Sequence, residues 1–146
     1  MTVRRVVTEI VSGRSRVADD SPAPHTEFWD DLWITEPGDP RGRPAVDADA
    51  SLQPPPGTAR WRVFIVPTAA RMRELVGDGP ADGAYFHQTD TVDLIYVLEG
   101  EVTLVLDDGE VKLRPGDCVV QQQTNHAWRN ETDRPVRLLG LMTTVA

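Results

Sequence analysis

The sequence has few of the residues on which several common chemistries depend. Its 146 residues include a single cysteine, Cys118, which excludes an intramolecular disulfide, a four-cysteine zinc site and a CxxC redox pair. One lysine, Lys112, stands among charged neighbours, where a Schiff-base role is not expected. The sequence also lacks Gly-x-Ser-x-Gly, Gly-x-Gly-x-x-Gly and Walker motifs. We therefore expect none of these chemistries, and we expect Cys118 to be a buried, unreactive thiol.

Positive charge is also scarce. The chain has 15 Lys and Arg against 23 Asp and Glu, a formal net charge of −8. Nucleic acids and anionic membranes attract clustered positive charge, so neither is an expected partner. The sequence has no signal-peptide pattern and no apolar run of about eighteen residues. We expect a cytoplasmic protein that acts on a small molecule, and the dominance of arginine over lysine favours a GC-rich bacterial source.

Residues 1–83 form the less regular part of an expected single domain, 1–146. Six of the twelve prolines fall in residues 36–58, which therefore read as a loop or extended arm rather than a strand. The segments SGR and DDSPAP supply turn chemistry before an aromatic segment at 27–35. The expected elements are strands at 3–11 and 60–66 and one or two helical turns at 69–75.

Residues 84–146 read as short strands separated by turns, which is typical of a sandwich or barrel. Asp108-Gly109 predicts a type I′ hairpin turn, and Val111 and Leu113 are expected to point inward in the strand that follows it. With the amino-terminal part included, we expect eight to ten strands. The strands expected in this half are 91–99, 101–107, 110–114, 118–122, 126–129 and 136–145.

One strand is apolar on both faces. Leu94, Tyr96 and Leu98 alternate with Ile95 and Val97. A strand with one face in water should alternate between apolar and polar residues, so something is expected to cover its outer face. The amino-terminal strands and a second subunit could each do so. We expect both, and hence a homodimer.

Two histidines and a carboxylate are the best candidates for chemistry. His87, Asp93 and His126 could serve as acid–base groups or hold a divalent metal through three protein ligands. His87 and Asp93 can meet only if the chain reverses between them, and the polar residues 88–91 favour such a turn. The alternative is that these histidines only satisfy polar groups in a barrel mouth.

Two segments around these residues resemble the sequence motifs of cupins. In HQTDTVDLIYVLEGE, His87 matches the first motif histidine, Asp93 falls at the glutamate and Gly100 at the final glycine. The second segment is NHAWRN, at residues 125–130, which follows Pro115-Gly116-Asp117. Here Gly116, His126 and Asn130 match the second cupin motif. The resemblance covers about residues 83–145. It implies an all-β fold, the cupin-type double-stranded β-helix or jelly-roll barrel, with the amino-terminal strands and the proline-rich arm wrapped outside.

The chain also departs from the cupin motifs. Ala81 occupies the place of the leading glycine, Thr89 replaces the second histidine and Asp93 shortens the glutamate. A metal site would therefore lack one of the usual four ligands. The resemblance leaves open whether a metal is bound; the candidates are iron, zinc, nickel and manganese.

Further polar and aromatic residues are candidates for binding a substrate. Tyrosine hydroxyls and glutamine amides can orient it, and a subset of the four tryptophans could wall the pocket. Arg62 and Arg129 could bind a substrate carboxylate. The expected substrate-binding residues are Tyr85, Thr89, Tyr96, Gln121, Gln123, Trp128 and Trp33.

Three functions remain open from the sequence. The first is a small cupin enzyme performing acid–base chemistry, a lyase, dehydratase, isomerase or cyclase, on a carbonyl-containing metabolite of a secondary or catabolic pathway. The second is a non-haem iron oxygenase that uses His87, Asp93 and His126. The third is a non-catalytic domain that binds or senses a small molecule. The fold alone does not choose between them.

Overall fold

Eleven β-strands and one short helix make up the regular structure of residues 2–45, 51–79 and 84–145, the parts of the chain that this computed structural model describes. The sequence led us to expect eight to ten strands. The elements are β1 (Arg4–Val11), β2 (Arg14–Pro22), β3 (Trp29–Glu36), β4 (Asp39–Pro44), β5 (Ala59–Val66), α1 (Ala69–Val76), β6 (Thr91–Glu99), β7 (Val102–Leu106), β8 (Gly109–Leu113), β9 (Cys118–Gln122), β10 (His126–Arg129) and β11 (Val136–Thr144).

Two antiparallel sheets enclose the main core. The larger has the strand order β4-β3-β5-β11-β6-β9 and the smaller has β10-β7-β8. Ile95, Val97 and Leu138 from the larger sheet pack with Val102 and Leu104 from the smaller one, and all five are buried. This arrangement confirms the all-β jelly-roll fold expected from the sequence.

The first two strands form a separate two-stranded hairpin, and this corrects the prediction that DDSPAP is a turn. The turn lies earlier, at Ser12 and Gly13, which both have positive φ (49° and 74°). The strand β2 then runs through the acidic segment, where Asp20 accepts two hydrogen bonds of 2.7 Å from Arg4. Pairing with β1 thus stabilises a segment whose composition favours a turn.

The strand β4 lies in the proline-rich region, which was wrongly predicted to contain no regular element. It pairs only with β3 and forms the edge of the larger sheet. Proline is tolerated on an edge strand because an N–H that faces away from the sheet needs no partner. Gly42 (φ 71°) permits the pairing because it has no side chain; a Cβ at this position would clash with the carbonyl oxygen of Ile34.

The hairpin between β7 and β8 lies where it was predicted, but its turn is of a different type. Asp108 does not have positive φ, whereas Gly109 does (115°), so the turn is not type I′. Val111 shares a sheet face with Leu104 but is 47% exposed, because β8 is an edge strand. Of Val111 and Leu113, the two residues expected to point inward, only Leu113 is buried.

The helix α1 is found where the sequence indicated one. The hydroxyl of Thr68 accepts a hydrogen bond from the backbone N–H of Arg71 and caps its start, and Gly77 ends it. No helix in the described ranges is long and apolar enough to cross a membrane.

The amino-terminal segments cover only part of the larger sheet. Val3 and Ala23, at the base of the first hairpin, pack with Leu32, Val63 and Leu139 on its outer face. Residues 51–58, the described end of the proline-rich arm, lie against the end of β11; here the Pro54 carbonyl accepts a hydrogen bond of 2.7 Å from Thr144.

The outer face of β6 stays uncovered by the described residues of this chain. Leu94 is 49% exposed and Tyr96 43%, so the expectation that the amino-terminal strands cover them is wrong. Those strands reach β5 and β11 but stop short of β6. Cys118, opposite Tyr96 on β9, is exposed rather than buried, because it lies on this same outer face.

Candidate functional site

A cavity of about 350 Å³ lies between the sheets, at the end where β6 begins. Most of its lining is apolar or aromatic. The larger sheet contributes Trp29 and Phe64, and the smaller sheet contributes Trp128. Its polar lining residues include His87, Thr89, Asp93 and His126, so the structure brings the three predicted catalytic residues to one cavity.

The two histidines are joined through their backbones. Each backbone N–H donates to the other's carbonyl, at 2.9 and 3.0 Å, so the segment before β6 is fixed against β10. The bridge attaches His87 to β10 of the smaller sheet, whereas Asp93 lies on β6 of the larger sheet, so the two residues reach the cavity from different sheets. The imidazole rings lie edge to face, with centroids 4.3 Å apart.

The ring orientation leaves one nitrogen of each histidine available. Nδ1 of His126 lies 2.8 Å from the carbonyl oxygen of Thr124, and Nδ1 of His87 lies 3.4 Å from that of Tyr85. A carbonyl oxygen only accepts, so the Nδ1 atoms carry the hydrogens. In the neutral rings, each Nε2 is then a free acceptor.

A ladder of hydroxyl groups leads to Asp93. Thr89, Thr91 and Asp93 alternate along the chain and therefore share a face. The Thr91 hydroxyl lies 2.6 Å from Oδ1 of Asp93 and 2.7 Å from the Thr89 hydroxyl. Because Thr91 has one hydroxyl proton and donates it to Asp93, Thr89 must be the donor to Thr91. The oxygen of Thr89 can then accept a hydrogen bond from a ligand in the cavity.

Burial favours the neutral forms of His126 and Asp93. Burial lowers the pKa of His126 to about 4, although the Thr124 carbonyl partly offsets this. Burial also raises the pKa of the Asp93 carboxyl, against the opposing effects of the Thr91 hydroxyl and His87. His126 is therefore neutral at pH 7 and able to accept a proton or a hydrogen bond.

The same residues are a poor fit to a three-ligand metal site. Across the described ranges, no three His, Cys, Asp or Glu side chains are grouped closely enough to hold a metal ion. Oδ1 of Asp93 is already hydrogen-bonded to Thr91, and Thr89 stands where cupins have a further histidine. The donors placed side by side are the two imidazoles.

Several predicted binding residues lie away from the cavity. Tyr96 points to the outer face of the sheet. The indole N–H of Trp33 donates to the Arg41 carbonyl within the β3–β4 hairpin. Gln123 is exposed and has positive φ (54°), so it turns away from the β9 alternation on which its prediction depended. Ala81, at the place of the first motif glycine, lies outside the described residues.

Gln121 is close to the site but does not line the cavity. It lies directly opposite Asp93 on β9 and is 3% exposed. Its amide oxygen accepts a hydrogen bond from the Thr124 hydroxyl. Its amide nitrogen has no hydrogen-bond partner in the described structure. Tyr85, Thr89 and Trp128 are the predicted binding residues that do line the cavity.

The two arginines considered for a substrate carboxylate are engaged elsewhere. Arg62 is 1% exposed; it pairs with buried Asp31 and lies 4.3 Å from the ring centroid of Trp29. Arg129 binds Glu110 and Glu131 on the surface, which raises its pKa. Neither lines the cavity.

The sequence interpretation missed several apolar residues of the cavity wall. Phe28, Leu52, Phe64 and Met72 all line it, and all come from the amino-terminal half. The signal available was the concentration of aromatic residues in the segment at 27–35. It did not reveal that this segment lies beside β5 in the larger sheet.

Comparisons with known proteins agree with this description. Residues 72–142 match the family model described as the cupin domain. Phomopsin biosynthesis cluster protein D of Diaporthe leptostromiformis is 39% identical over 88 residues, which are 60% of this chain and 43% of that protein. A cupin-domain-containing oxidoreductase of Aspergillus ruber is 39% identical over 72 residues, 47% of this chain and 36% of its own.

These fungal relatives are longer, and this chain spans less than half of their length. Among solved structures, an ethanolamine utilization protein Q from Salmonella typhimurium aligns over 100% of this chain and 99% of its own. The TM-score is 0.51 and the identity 10%. That likeness concerns the fold alone. The bacterial source expected from composition stays a prediction.

Proposed function

The chain contains a cupin domain, at residues 72–142, and we propose that it is a small cupin enzyme that performs acid–base chemistry on a carbonyl-containing metabolite. The observation that carries this proposal is the polar end of the cavity. There His87 and His126 present free Nε2 atoms in the same cavity as a buried carboxyl group whose pKa is raised. Lyases, dehydratases, isomerases and cyclases share the step that such groups perform, removal of a proton next to a carbonyl.

In the proposed step, a neutral imidazole removes the proton and Asp93 acts on the oxygen. We assign proton removal to His87, which is half-buried, rather than to His126, which is buried. Nε2 of His87 takes the proton from the carbon, and the protonated Asp93 carboxyl donates its proton to the carbonyl oxygen. The product is an enol, and the reverse transfers restore both residues.

The remaining polar groups orient this pair. The hydroxyl of Thr91 fixes Oδ1 of Asp93, which leaves Oδ2 as the oxygen that can carry the proton. The backbone bridge between the histidines and the carbonyls that bind their Nδ1 atoms hold the rings in one tautomer. The apolar walls keep the site poor in water, which strengthens these hydrogen bonds.

Exchange of carbon-bound hydrogen tests the proposal without knowledge of the natural substrate. An acetyl group has protons next to its carbonyl, and acetylnaphthalene offers one on an apolar body. In heavy water the protein should speed loss of the methyl signal in the proton NMR spectrum, because a removed proton returns as deuterium. Exchange at the rate of buffer alone, with acetylnaphthalene bound, would contradict acid–base catalysis.

A metal-dependent oxidoreductase is the second candidate. Relatives named cupin-domain-containing oxidoreductases favour it, and so does the attachment of both Nδ1 atoms to carbonyls, which is common for metal-binding histidines. Iron, zinc, nickel or manganese, if bound, would add a Lewis acid or a redox centre next to the imidazoles. Elemental analysis of protein purified without an affinity metal column, followed by the exchange assay after chelation, separates the two candidates.

We also propose a place in biosynthesis and a dimeric assembly. The relatives named as biosynthesis cluster proteins support a role in making a small metabolite. The uncovered apolar face of β6, continued by Val120 on β9 and by Leu141 on β11, supports a homodimer. A cytoplasmic location and the absence of nucleic-acid and membrane partners stay predictions.

A further inference from the structure

The basic side chains of the described residues are kept away from the cavity. None of the arginines or the lysine is among the lining residues that the structure describes. The guanidinium of Arg62 lies against Trp29, a residue of the cavity wall, and is paired with Asp31. It also donates to the backbone carbonyls of Ser51 and Leu52. A carboxylate or phosphate in the cavity would therefore lose its hydration without gaining a cationic partner.

Aromatic rings line the cavity from both sheets. Trp29 and Phe64 belong to the larger sheet and meet edge to face, with centroids 6.3 Å apart. Trp128 belongs to the smaller sheet and lies edge-on to His126, with centroids 5.9 Å apart. Arg62 packs against Trp29 at 4.3 Å, so this wall is held in place by contacts outside the cavity. Fixed aromatic walls favour a flat ligand over a flexible one.

The volume and the distribution of polar groups set the size and polarity of the ligand. About 350 Å³ is roughly a dozen times the ~30 Å³ that one water molecule occupies in the liquid, so a ligand with about a dozen or more non-hydrogen atoms fits. The polar side chains of the lining are His87, Thr89, Asp93, His126 and Tyr85, and the Tyr85 hydroxyl donates a hydrogen bond to the Gly77 carbonyl. A second polar group elsewhere on the ligand would face apolar walls.

We propose that the cavity selects an uncharged, flat aromatic compound that carries a single carbonyl or hydroxyl group at one end, with that oxygen facing the two histidines and Asp93. The proposal deepens the proposed function and rests on the same cavity. It excludes sugars, phosphate esters and carboxylic acids as substrates. It does not depend on which acid–base reaction follows.

The test compares three probes by isothermal titration calorimetry at pH 7. Acetylnaphthalene has the aromatic body and a neutral oxygen, naphthoate has the same body with a charge, and acetone has the oxygen without the body. We expect acetylnaphthalene to bind at least about tenfold more tightly than either of the others. Equal or tighter binding of naphthoate would overturn the selection for uncharged ligands, and equal binding of acetone would overturn the role of the aromatic walls.

Two variants test whether acetylnaphthalene binds in this cavity. Trp128→Leu should weaken acetylnaphthalene binding about tenfold by removing part of a wall. Trp61→Leu makes the same chemical change on the outer face, where Trp61 is 44% exposed, and should leave binding unchanged. An equal effect of both variants, or of neither, would contradict binding in this cavity.

This test and the test of function can fail separately. Acetylnaphthalene that binds as described but exchanges no hydrogen would leave the ligand class in place and refute the acid–base function. If the protein exchanges the hydrogens of acetylnaphthalene but binds naphthoate as tightly as acetylnaphthalene, the ligand class is refuted and the acid–base function is not.

Discussion

His126 is 3% exposed, and its ring makes one protein hydrogen bond, to the Thr124 carbonyl. Its pKa in the folded protein, about 4, lies below the ordinary value of 6.5. Between these two values the unfolded chain binds a proton that the folded protein does not, so acid favours unfolding. This buried histidine at the polar end of the cavity therefore makes the fold sensitive to acid.

The pH dependence of stability should show this effect. The contribution of His126 is constant above pH 6.5 and falls as the pH drops towards 4, by up to about 3 kcal/mol. The His126→Gln variant lacks the group and should have a shallower loss of stability over this range. Urea unfolding at pH 7 and pH 5 measures the difference. Equal slopes for the two proteins would show that His126 titrates normally.

Thr91 offers a second prediction at the scale of one residue. Its hydroxyl lowers the pKa of Asp93, against the effect of burial. Thr91→Val keeps the shape but removes this hydrogen bond, so the pKa of Asp93 should rise further. In the exchange assay, the limb of the pH–rate profile that belongs to Asp93 should move to higher pH, and Thr91→Ser should restore it. A profile unchanged in Thr91→Val would show that the hydroxyl ladder does not reach the reacting group.

At the scale of single elements, the β3–β4 hairpin shows how the amino-terminal half supports the site. The strand β3 carries Trp29 into the cavity wall and is held between β5 and β4. Gly42 lets β4 approach β3, since an added Cβ would clash with the Ile34 carbonyl oxygen. The approach depends on the absence of a side chain as well as on backbone freedom.

Replacement of this glycine should destabilise the hairpin. Gly42→Ala introduces the clash together with the cost of positive φ and should lower the free energy of unfolding by about 2–3 kcal/mol. Gly38→Ala is the matched control, because Gly38 has φ 82° with nothing near its Cβ position. It should cost only about 1 kcal/mol. Thermal melts of the two variants compare them, and equal losses would rule out the clash.

The sequence predicted strands with clear β-branched patterns, such as β5, β6 and β9, with nearly correct bounds. It assigned no strand to β2, β3 or β4; the residues of β2 and β4 favour turns and become strands only by pairing with a neighbour. For the site, spacing and the cupin resemblance identified His87, Asp93 and His126. The apolar wall could not be predicted, because Phe28 and Phe64 reach the cavity only through the order of strands in the larger sheet.

At the scale of the whole molecule, one sheet face is apolar and uncovered. Val120, Leu94 and Leu141 lie side by side on β9, β6 and β11, and each is at least 36% exposed. Exposed apolar residues that adjoin across three strands favour association. A second copy is the partner we propose, since two such faces can pack with two-fold symmetry.

The assembly can be tested with one charge on this face. Leu94→Arg should convert a dimer into a monomer, because the charge would have to be buried in the interface. Val111→Arg is the control, since Val111 is 47% exposed on the smaller sheet and away from this face. Light scattering at micromolar concentration should give twice the chain mass for the wild type and the control. A monomeric wild type would contradict the dimer.

The central claim, that the polar end of the cavity moves protons, is tested most directly by His87→Ala in two assays on the same sample. The exchange of acetylnaphthalene methyl hydrogens in heavy water should fall by about a hundredfold or more relative to the wild type. The melting temperature should stay close to that of the wild type, because the side chain lines a cavity rather than the core. A variant that melts several degrees lower but still exchanges at the wild-type rate would assign His87 to packing and contradict the account.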